Sequence, residues 1–413
     1  QQHEILSRGT EEILPDGALL DRLRRAVAAS RPLRVKQGFD PTAPDIHLGH
    51  TVGLRKLKQF QELGHQVVLI VGDYTGMVGD HSGRSKTRPQ LTTGQVEANA
   101  RTYLEQFYRV LERDPAPPRR PVEIHRNGEW FASMSFADVI RLASQYTVSR
   151  LLEREDFSRR FDANQPISVH ELLYPLMQGH DSVEIHADVE IGATEQKFNL
   201  VVGRELQRVA GQEPQVILTL PVLPGLDGVQ RMSKSLGNYI GVTDTPAEMF
   251  GKVMRLPDEV LRVFWRLVTD AEPDELVEID HALEDGATNP MSIKKRLGER
   301  LVTMYYDAGA ATHARTDFEA QFSRHEVPEH LEEFDREALL AHAADTSKPL
   351  VVDALIAAGM CDSRSAARRL IEQRAVRIDG IVVESWDFPV NSEVSMVLKA
   401  GRKMKRYRPG SPS

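Results

Sequence analysis

His47 and His50 enclose Leu48 and Gly49 in the stretch GFDPTAPDIHLGH, residues 38–50. An apolar lead-in at Leu33 and Val35, an open turn set by Pro41 and Pro44, and helical spacing from Thr51 to Leu63 predict a strand, a loop and a helix start. A helix start offers free N–H groups and a positive dipole end, which suits phosphate. Two imidazoles on its first turn can donate to phosphate oxygens, and Gly49 lets a flat base or a phosphate approach the backbone. Ordinary cap histidines share this spacing, so the pattern gains meaning only in company. Far downstream, Arg231 and Lys234 lie three apart in GVQRMSKSLGN among Ser233, Ser235 and Gly237. That composition suits a loop that closes over phosphates and reopens, and equally a surface loop. Between them, HELLYPLMQGHDS (170–182) would, as a helix, put Tyr174, Gln178 and Asp181 on one face. A phenol, an amide and a carboxylate on a stripe of an otherwise apolar helix are costly to bury unless a ligand completes their hydrogen bonds. The fourth group is the glycine-rich passage GDYTGMVGDHSGRSKTR (72–88), with Asp80 at the predicted carboxyl end of a strand and Arg84, Lys86 and Arg88 on a basic loop.

These groups need an alternating β/α frame. Strands are predicted at Gln66–Gly72, Val183–Ile191 and Val216–Leu223, with helices up to about Ser30 and over 94–113. From Trp130 to Phe161 a helical insertion carries Phe131, Met134, Phe136, Ile140, Leu142, Leu151 and Leu152, either as core of its own subdomain or as an oligomer surface. At 413 residues the chain has room for two or three domains, and 41% hydrophobic with 27% charged residues is an ordinary soluble composition. Apolar runs are strand-sized and no secretory pattern opens the chain, so no membrane association and a cytoplasmic location are expected. The chain starts on Gln1, and further N-terminal residues are expected to precede it. Cys361 is the single cysteine, which excludes an internal disulfide, a Cys-rich zinc site and a Cys-x-x-Cys redox pair. From Thr346 onward twelve Lys and Arg stand against seven Asp and Glu, a net of +5 on a chain of total charge −8. A basic module on an acidic body suggests a polyanionic partner, the alternative being a solubilising tail.

HLGH near the start and RMSKS well over a hundred residues later, in that order on an alternating β/α chain, resemble the paired motifs of class I aminoacyl-tRNA synthetases. GFDPTA, the Asp80 loop and the Tyr174, Gln178, Asp181 stripe narrow the resemblance to the bacterial tyrosyl-tRNA synthetases, over nearly the whole chain. The resemblance implies activation of L-tyrosine by ATP with Mg2+ and transfer of tyrosine to the terminal ribose of tRNA(Tyr). It implies that Thr42 and His47 hold the γ-phosphate and His50 the polyphosphate, while Arg84, Arg88, Arg231 and Lys234 close on pyrophosphate. It assigns Asp80, Tyr174 and Gln178 to the amino acid's ammonium, Asp181 to its hydroxyl, and Lys36 and Gln196 to the same substrate. It lines the nucleotide with Gly38, Asp40, Gly49, Gly192, Glu195, Met232 and Ser233. No protein-held metal site is expected. The sequence departs from the family at three places: Lys36 stands where many relatives carry tyrosine, Ala193 and Glu195 replace the usual Gly and Asp of a Gly-Gly-Ser/Thr-Asp-Gln loop, and Arg231 replaces lysine.

The implied architecture is a Rossmann-like α/β catalytic domain over 1–240 with a helical insertion at about 125–165. An all-α anticodon-side domain over 241–335, a linker over 336–347 and a small α+β S4-like RNA-binding domain over 348–413 would follow. In the last, Asp362 or Ser363 would cap a helix from Arg364 to Arg374, Asp379-Gly380 would turn a hairpin, and Arg364, Arg368 and Arg369 would meet tRNA. A homodimer through the insertion is carried from the family. Tryptophanyl-tRNA synthetase, an RNA-binding protein on a synthetase scaffold, and a smaller nucleotidylyltransferase sharing His-x-Gly-His are the other readings.

Overall fold

A computed structural model of the chain describes residues 1–41, 45–79, 92–284, 288–320, 331–401 and 403–409. Thr42, Asp80, Arg84 and Arg88 lie outside the described residues, and so does Lys86. The chain divides into two compact units, 1–312 and 313–413.

The first unit is built on a six-stranded sheet of β1 (Glu12–Leu14), β2 (Arg34–Phe39), β3 (Gln66–Val71), β4 (Glu123–Arg126), β5 (Val189–Ala193) and β6 (Val216–Leu220), in the order β1-β6-β5-β2-β3-β4. Strands β2 to β6 are mutually parallel, and β1 joins β6 antiparallel at the edge. Every residue of β3, QVVLIV, is buried, as expected of a parallel strand covered on both faces. The chain leaves β2 toward β3 on one side and returns to β5 on the other. The strand order therefore reverses beside β2, and the crevice past the carboxyl ends of β2 and β5 is where ligands of such sheets bind.

Three expectations need correction. Ile13 and Leu14 form the edge strand β1 rather than part of the opening helix, which is split into Gln2–Ser7 and Ala18–Ala28. The helix predicted over 170–182 runs from Val169 to Glu184, and the strand after it begins at Val189, not Val183. The apolar residues Val183 and Ile185 belong to the helix end, and a left-handed His186 (φ 50°) turns the chain into β5. The helix opening on the two histidines spans Leu48–Glu62, three residues earlier than periodicity placed it. Helices Pro246–Val253, Leu261–Val268, Pro273–Glu284 and Pro290–Tyr305 continue the first unit.

The second unit starts at 313, well before the expected 348. Its five-stranded sheet runs β7 (Glu333–Asp335), β11 (Lys403–Arg408), β10 (Met396–Ala400), β8 (Val376–Ile378), β9 (Ile381–Val382). The stretch expected to be a linker, 336–347, contains a helix, Arg336–His342, capped by the Asp335 carboxylate accepting from Ala338 N–H at 2.9 Å. Leu339, with Phe334 of the preceding β7, reaches the same core as Val351, Leu355, Leu398 and Tyr407, so the polar surface of this stretch hides an anchoring residue. The hairpin turn at Asp379-Gly380 is present, with φ of 45° and 84°.

Candidate active site

His47 is the N-cap of the Leu48–Glu62 helix. Its Nδ1 accepts from Gly49 N–H at 3.2 Å, and His50 Nδ1 accepts from His47 N–H at 3.3 Å. A ring nitrogen that accepts is unprotonated, so each neutral imidazole carries its proton on Nε2. Burial lowers His47 to about 2, with His50 and Lys234 pushing the same way, and burial lowers His50 to about 4 with help from Lys234. Both rings are therefore neutral Nε2–H donors at physiological pH, stacked with centroids 3.9 Å apart. A Cβ on Gly49 would stand 3.0 Å from the His47 ring, and one on Gly53 would strike the Gln37 carboxamide at 2.3 Å.

The carboxyl ends of β2 and β5 and this helix start border a cleft of about 530 Å³, within the usual range for small-molecule sites. Gly38, Asp40, His47, Gly49, His50, Tyr174, Gly192, Glu195, Gln196, Arg231, Met232, Ser233 and Lys234 all line it. All of these are residues that the resemblance assigns to ATP, phosphate or tyrosine, and Tyr174 brings the helix stripe to the same wall. The Arg231–Lys234 loop is a built structure: Ser233 N–H donates to Asn238 Oδ1 at 2.8 Å, and Asn238 Nδ2 donates to Asp227 Oδ2 at 2.8 Å and to Arg231 O at 3.2 Å. Arg231 Nη1 bonds Glu195 Oε2 at 2.6 Å, and Lys234 Nζ bonds Asp45. Two of the departures seen in the sequence, Arg231 and Glu195, are thus partners. The longer carboxylate and the guanidinium join the loop to the short turn, Thr194–Gln196, that follows β5.

Gln178 and Asp181 are buried and do not line that cleft among the described residues. Asp181 Oδ1 accepts from Trp130 Nε1 at 3.0 Å and Oδ2 from Asn127 Nδ2 at 3.4 Å, leaving lone pairs on each oxygen. Burial raises its pKa to about 7, and the field of Lys36 and the two hydrogen bonds act against that rise. Asn127 Nδ2 also donates to Thr75 Oγ1 at 2.9 Å, Thr75 Oγ1 donates to Asp40 Oδ1 at 2.8 Å, and the Tyr174 hydroxyl donates to Asp40 Oδ2 at 2.8 Å. A hydrogen-bonded chain thus joins the deep carboxylate to the one at the mouth. Sequence reasoning misses Asn127, Thr75 and Trp130. Their partners lie 35 to 54 residues away, and no local spacing marks them. Asp45 does have a signal, an acid two residues ahead of His47.

Lys36 requires a correction. The resemblance assigns it to substrate, but its side chain is 0% exposed and its ammonium donates to Gln178 O, Ser182 Oγ and Glu190 Oε1 at 2.8, 2.8 and 2.9 Å. Three donors with three protein acceptors leave none for a ligand.

In the second unit, Ser363 caps the Arg364–Glu372 helix, its hydroxyl accepting from Ala366 N–H at 3.2 Å. Arg364 bonds the buried Asp353 carboxylate at 2.5 Å and His342 O at 3.1 Å, so it is anchored. The Arg368 guanidinium lies 4.1 Å over the half-exposed Trp386 ring, and Arg369 is exposed.

The family described as tRNA synthetases class I (W and Y) matches residues 28–323, and the S4 domain matches 352–394. A tyrosine–tRNA ligase of Moorella thermoacetica is 49% identical over 98% of this chain and 94% of its own length. One of Symbiobacterium thermophilum is 50% identical over 98% and 96%. Among solved structures, a C-terminally truncated mitochondrial tyrosyl-tRNA synthetase of Aspergillus nidulans aligns with a TM-score of 0.63 at 18% identity, covering 78% of this chain and 93% of that one. The tyrosyl-tRNA synthetase of Archaeoglobus fulgidus solved with L-tyrosine aligns at 0.59 and 22%, covering 76% and 98%. With a nucleotide-type cleft at the switch point, the two motif loops on its rim and this degree of identity, the chain belongs to the class I tRNA synthetases of the tryptophan and tyrosine type, in the tyrosine–tRNA ligase family.

Proposed function

We propose that this chain activates L-tyrosine with ATP, releasing pyrophosphate, and then transfers tyrosine to the 3′-terminal ribose of tRNA(Tyr). The tyrosine carboxylate attacks the α-phosphorus, a new P–O bond forms, and the bond to the β-phosphate oxygen breaks with its electrons leaving on pyrophosphate. The attacking group is already an anion, so the protein supplies alignment and charge stabilisation rather than a nucleophile. In this reading the neutral Nε2–H groups of His47 and His50 donate to the polyphosphate. Arg231 and Lys234 exchange Glu195 and Asp45 for phosphate oxygens, joined by Thr42, Arg84 and Arg88. Asp80, Tyr174 and Gln178 take the ammonium, Asp181 accepts the phenolic O–H, and Gly38, Asp40, Gly49, Gly192, Gln196, Met232 and Ser233 frame the adenylate. Mg2+ would arrive on the triphosphate, since it favours a few phosphate and water oxygens over an all-protein cage.

The observation that carries the tyrosine reading is Asp181: a buried carboxylate with two donors and spare lone pairs, on the same helix as Tyr174 at the cleft wall. An indole N–H also donates to a carboxylate, as Trp130 does here, so the choice of tyrosine over tryptophan draws its support from the identity to tyrosine–tRNA ligases. ATP–pyrophosphate exchange driven by L-tyrosine but not by L-tryptophan is expected, and exchange driven by tryptophan alone would overturn the assignment. The second unit, with Arg368, Arg369 and anchored Arg364, would meet tRNA phosphates, making affinity fall steeply with salt. A cytoplasmic homodimer completes the proposal. Phe136, Val148, Phe161 and Val169 lie 60–80% exposed on or beside the insertion, and light scattering tests their pairing. Among the described residues no helix is long and apolar enough to cross a membrane.

A further inference from the structure

Beneath the amino-acid end of the site lies an ion pair that no catalytic step uses. Lys36 of β2 and Glu190 of β5 are 0% and 1% exposed, and Nζ meets Oε1 at 2.9 Å. The pair is tied on several sides to the helix that carries the recognition stripe. Lys36 holds the Gln178 carbonyl and the Ser182 hydroxyl, each at 2.8 Å. Glu190 Oε1 accepts from Gln178 Nε2 at 3.0 Å, and Oε2 from Ser182 Oγ at 3.1 Å and from Gln215. Asn199 Nδ2, at 3.0 Å from Gln178 Oε1, fixes the other end of that amide. Gln178 and Ser182 flank Asp181, one three residues before it and the other next to it.

We propose that Lys36 and Glu190 form a positioning pair for amino-acid selection: Lys36 holds the Gln178 main-chain carbonyl and Glu190 its carboxamide, and with opposite signs they set how readily Asp181 accepts a hydrogen bond from the substrate hydroxyl. The inference rests on the tyrosine-activating function proposed above and adds to it a second pair of residues, neither touching substrate. Lys36 turns to the buried Glu190 carboxylate and acts through the helix and through its field. Among the described residues, the charged or titratable groups around Asp181 include Lys36, Glu190, His180 and Glu184, with Asp40 and Tyr174 linked to it through Asn127 and Thr75. Lys36 favours the ionised Asp181 and Glu190 disfavours it. His180, beside Asp181, is pushed down chiefly by burial, and Glu184, 3.1 Å from its Nε2, acts against that.

The test is the pH profile of the KM for tyrosine in pyrophosphate exchange, with kcat and the KM for ATP read alongside. Removing Lys36's charge (Lys36→Met) is expected to move the acidic midpoint of the profile upward. Removing that of Glu190 (Glu190→Gln) is expected to move it downward, with about a tenfold change in KM on the acid limb for each pH unit moved. The double variant returns the midpoint toward the parent's, and the KM for ATP stays within about twofold throughout. Lys36→Met leaves a buried carboxylate unpaired and can fail to fold. Glu190→Gln leaves the Lys36 ammonium with three oxygen acceptors but turns an NH2 toward Ser182 and Gln215, so it carries the test alone once its thermal transition shows a folded protein. A parent enzyme without tyrosine-driven exchange would refute the underlying function. Normal exchange in the parent with an unmoved or upward midpoint in Glu190→Gln refutes the positioning pair.

Discussion

Replacing Asp181 with asparagine separates what this carboxylate does for recognition from what it costs the fold. Its folded pKa is about 7 against 3.8 for the free group, with burial the leading cause. A carboxyl raised on folding holds its proton where the unfolded chain has lost it. Stability is therefore full below the unfolded pKa and is lost as pH climbs toward the folded one. Raising a carboxyl from 3.8 to about 7 corresponds to about 4 kcal/mol, of which about 3 kcal/mol falls between pH 5 and pH 8. The amide removes that slope. It keeps one oxygen for Trp130 Nε1 or Asn127 Nδ2 and turns an NH2 toward the other donor, a mismatch of about 1–3 kcal/mol that does not vary with pH. The variant should therefore gain about 3 kcal/mol relative to its parent between about pH 5 and about pH 8, read from the first thermal transition of each by circular dichroism. The same protein should lose most tyrosine activation. Rejection of phenylalanine through the missing hydroxyl is established for this enzyme family at about 10⁵, so in the variant phenylalanine should become a competitive poor substrate rather than a rejected one. A relative stability that does not change with pH would refute the buried ionisable carboxylate, and intact tyrosine exchange would refute its role.

Three further outcomes are expected. Gly53→Ala drives a Cβ to 2.3 Å from the Gln37 carboxamide, which must swing into the cleft it lines, and the KM for ATP should rise by an amount worth about 1 kcal/mol, roughly fivefold, in exchange kinetics. Glu195→Gln releases Arg231 from a partly exposed pair worth about 0.2–1 kcal/mol, so melting should hardly change while pyrophosphate inhibits at lower concentration. Ending the chain at residue 320 should spare pyrophosphate exchange and abolish efficient tRNA charging. Ending it at 345 should give an aggregation-prone protein, because β7 then keeps no β11 to pair with, and light scattering distinguishes the two.

The parts of the molecule that are legible in sequence are those whose signal is local. Two histidines around a glycine at a helix start, a loop bearing Arg231 and Lys234, and a polar stripe on the 169–184 helix each announce themselves by spacing, and the structure gathers residues of all three at one cleft. What escapes is long-range pairing. Trp130 reads as one more apolar residue of an insertion until its indole N–H is found on Asp181, and Glu190 reads as strand polarity until Lys36 is found against it. Lys36 is misread for the same reason: a residue's place in a motif fixes where its Cα lies, not which way a long side chain turns. Boundaries fail where composition misleads, as at 336–347, where polar residues surround the anchoring Leu339.

The electrostatics of the cleft form one pattern. Burial drives His47 and His50 toward neutral donors and Asp181 toward the neutral acid, while the charges on the cleft rim include Arg231 and Lys234 with their acids Glu195 and Asp45. A reaction whose nucleophile and leaving group are both anions needs that distribution. Neutral donors can hold the triphosphate without binding it so tightly that the transition state gains nothing, and cations paired to carboxylates at rest become available only to a ligand that outcompetes those acids. Pyrophosphate, gaining charge as the bond breaks, competes better than intact ATP does. On the proposed roles of Arg231 and Lys234, the acids opposite them would favour the state in which charge has already moved, and removing Glu195 should erode that preference even while it strengthens binding of phosphate overall.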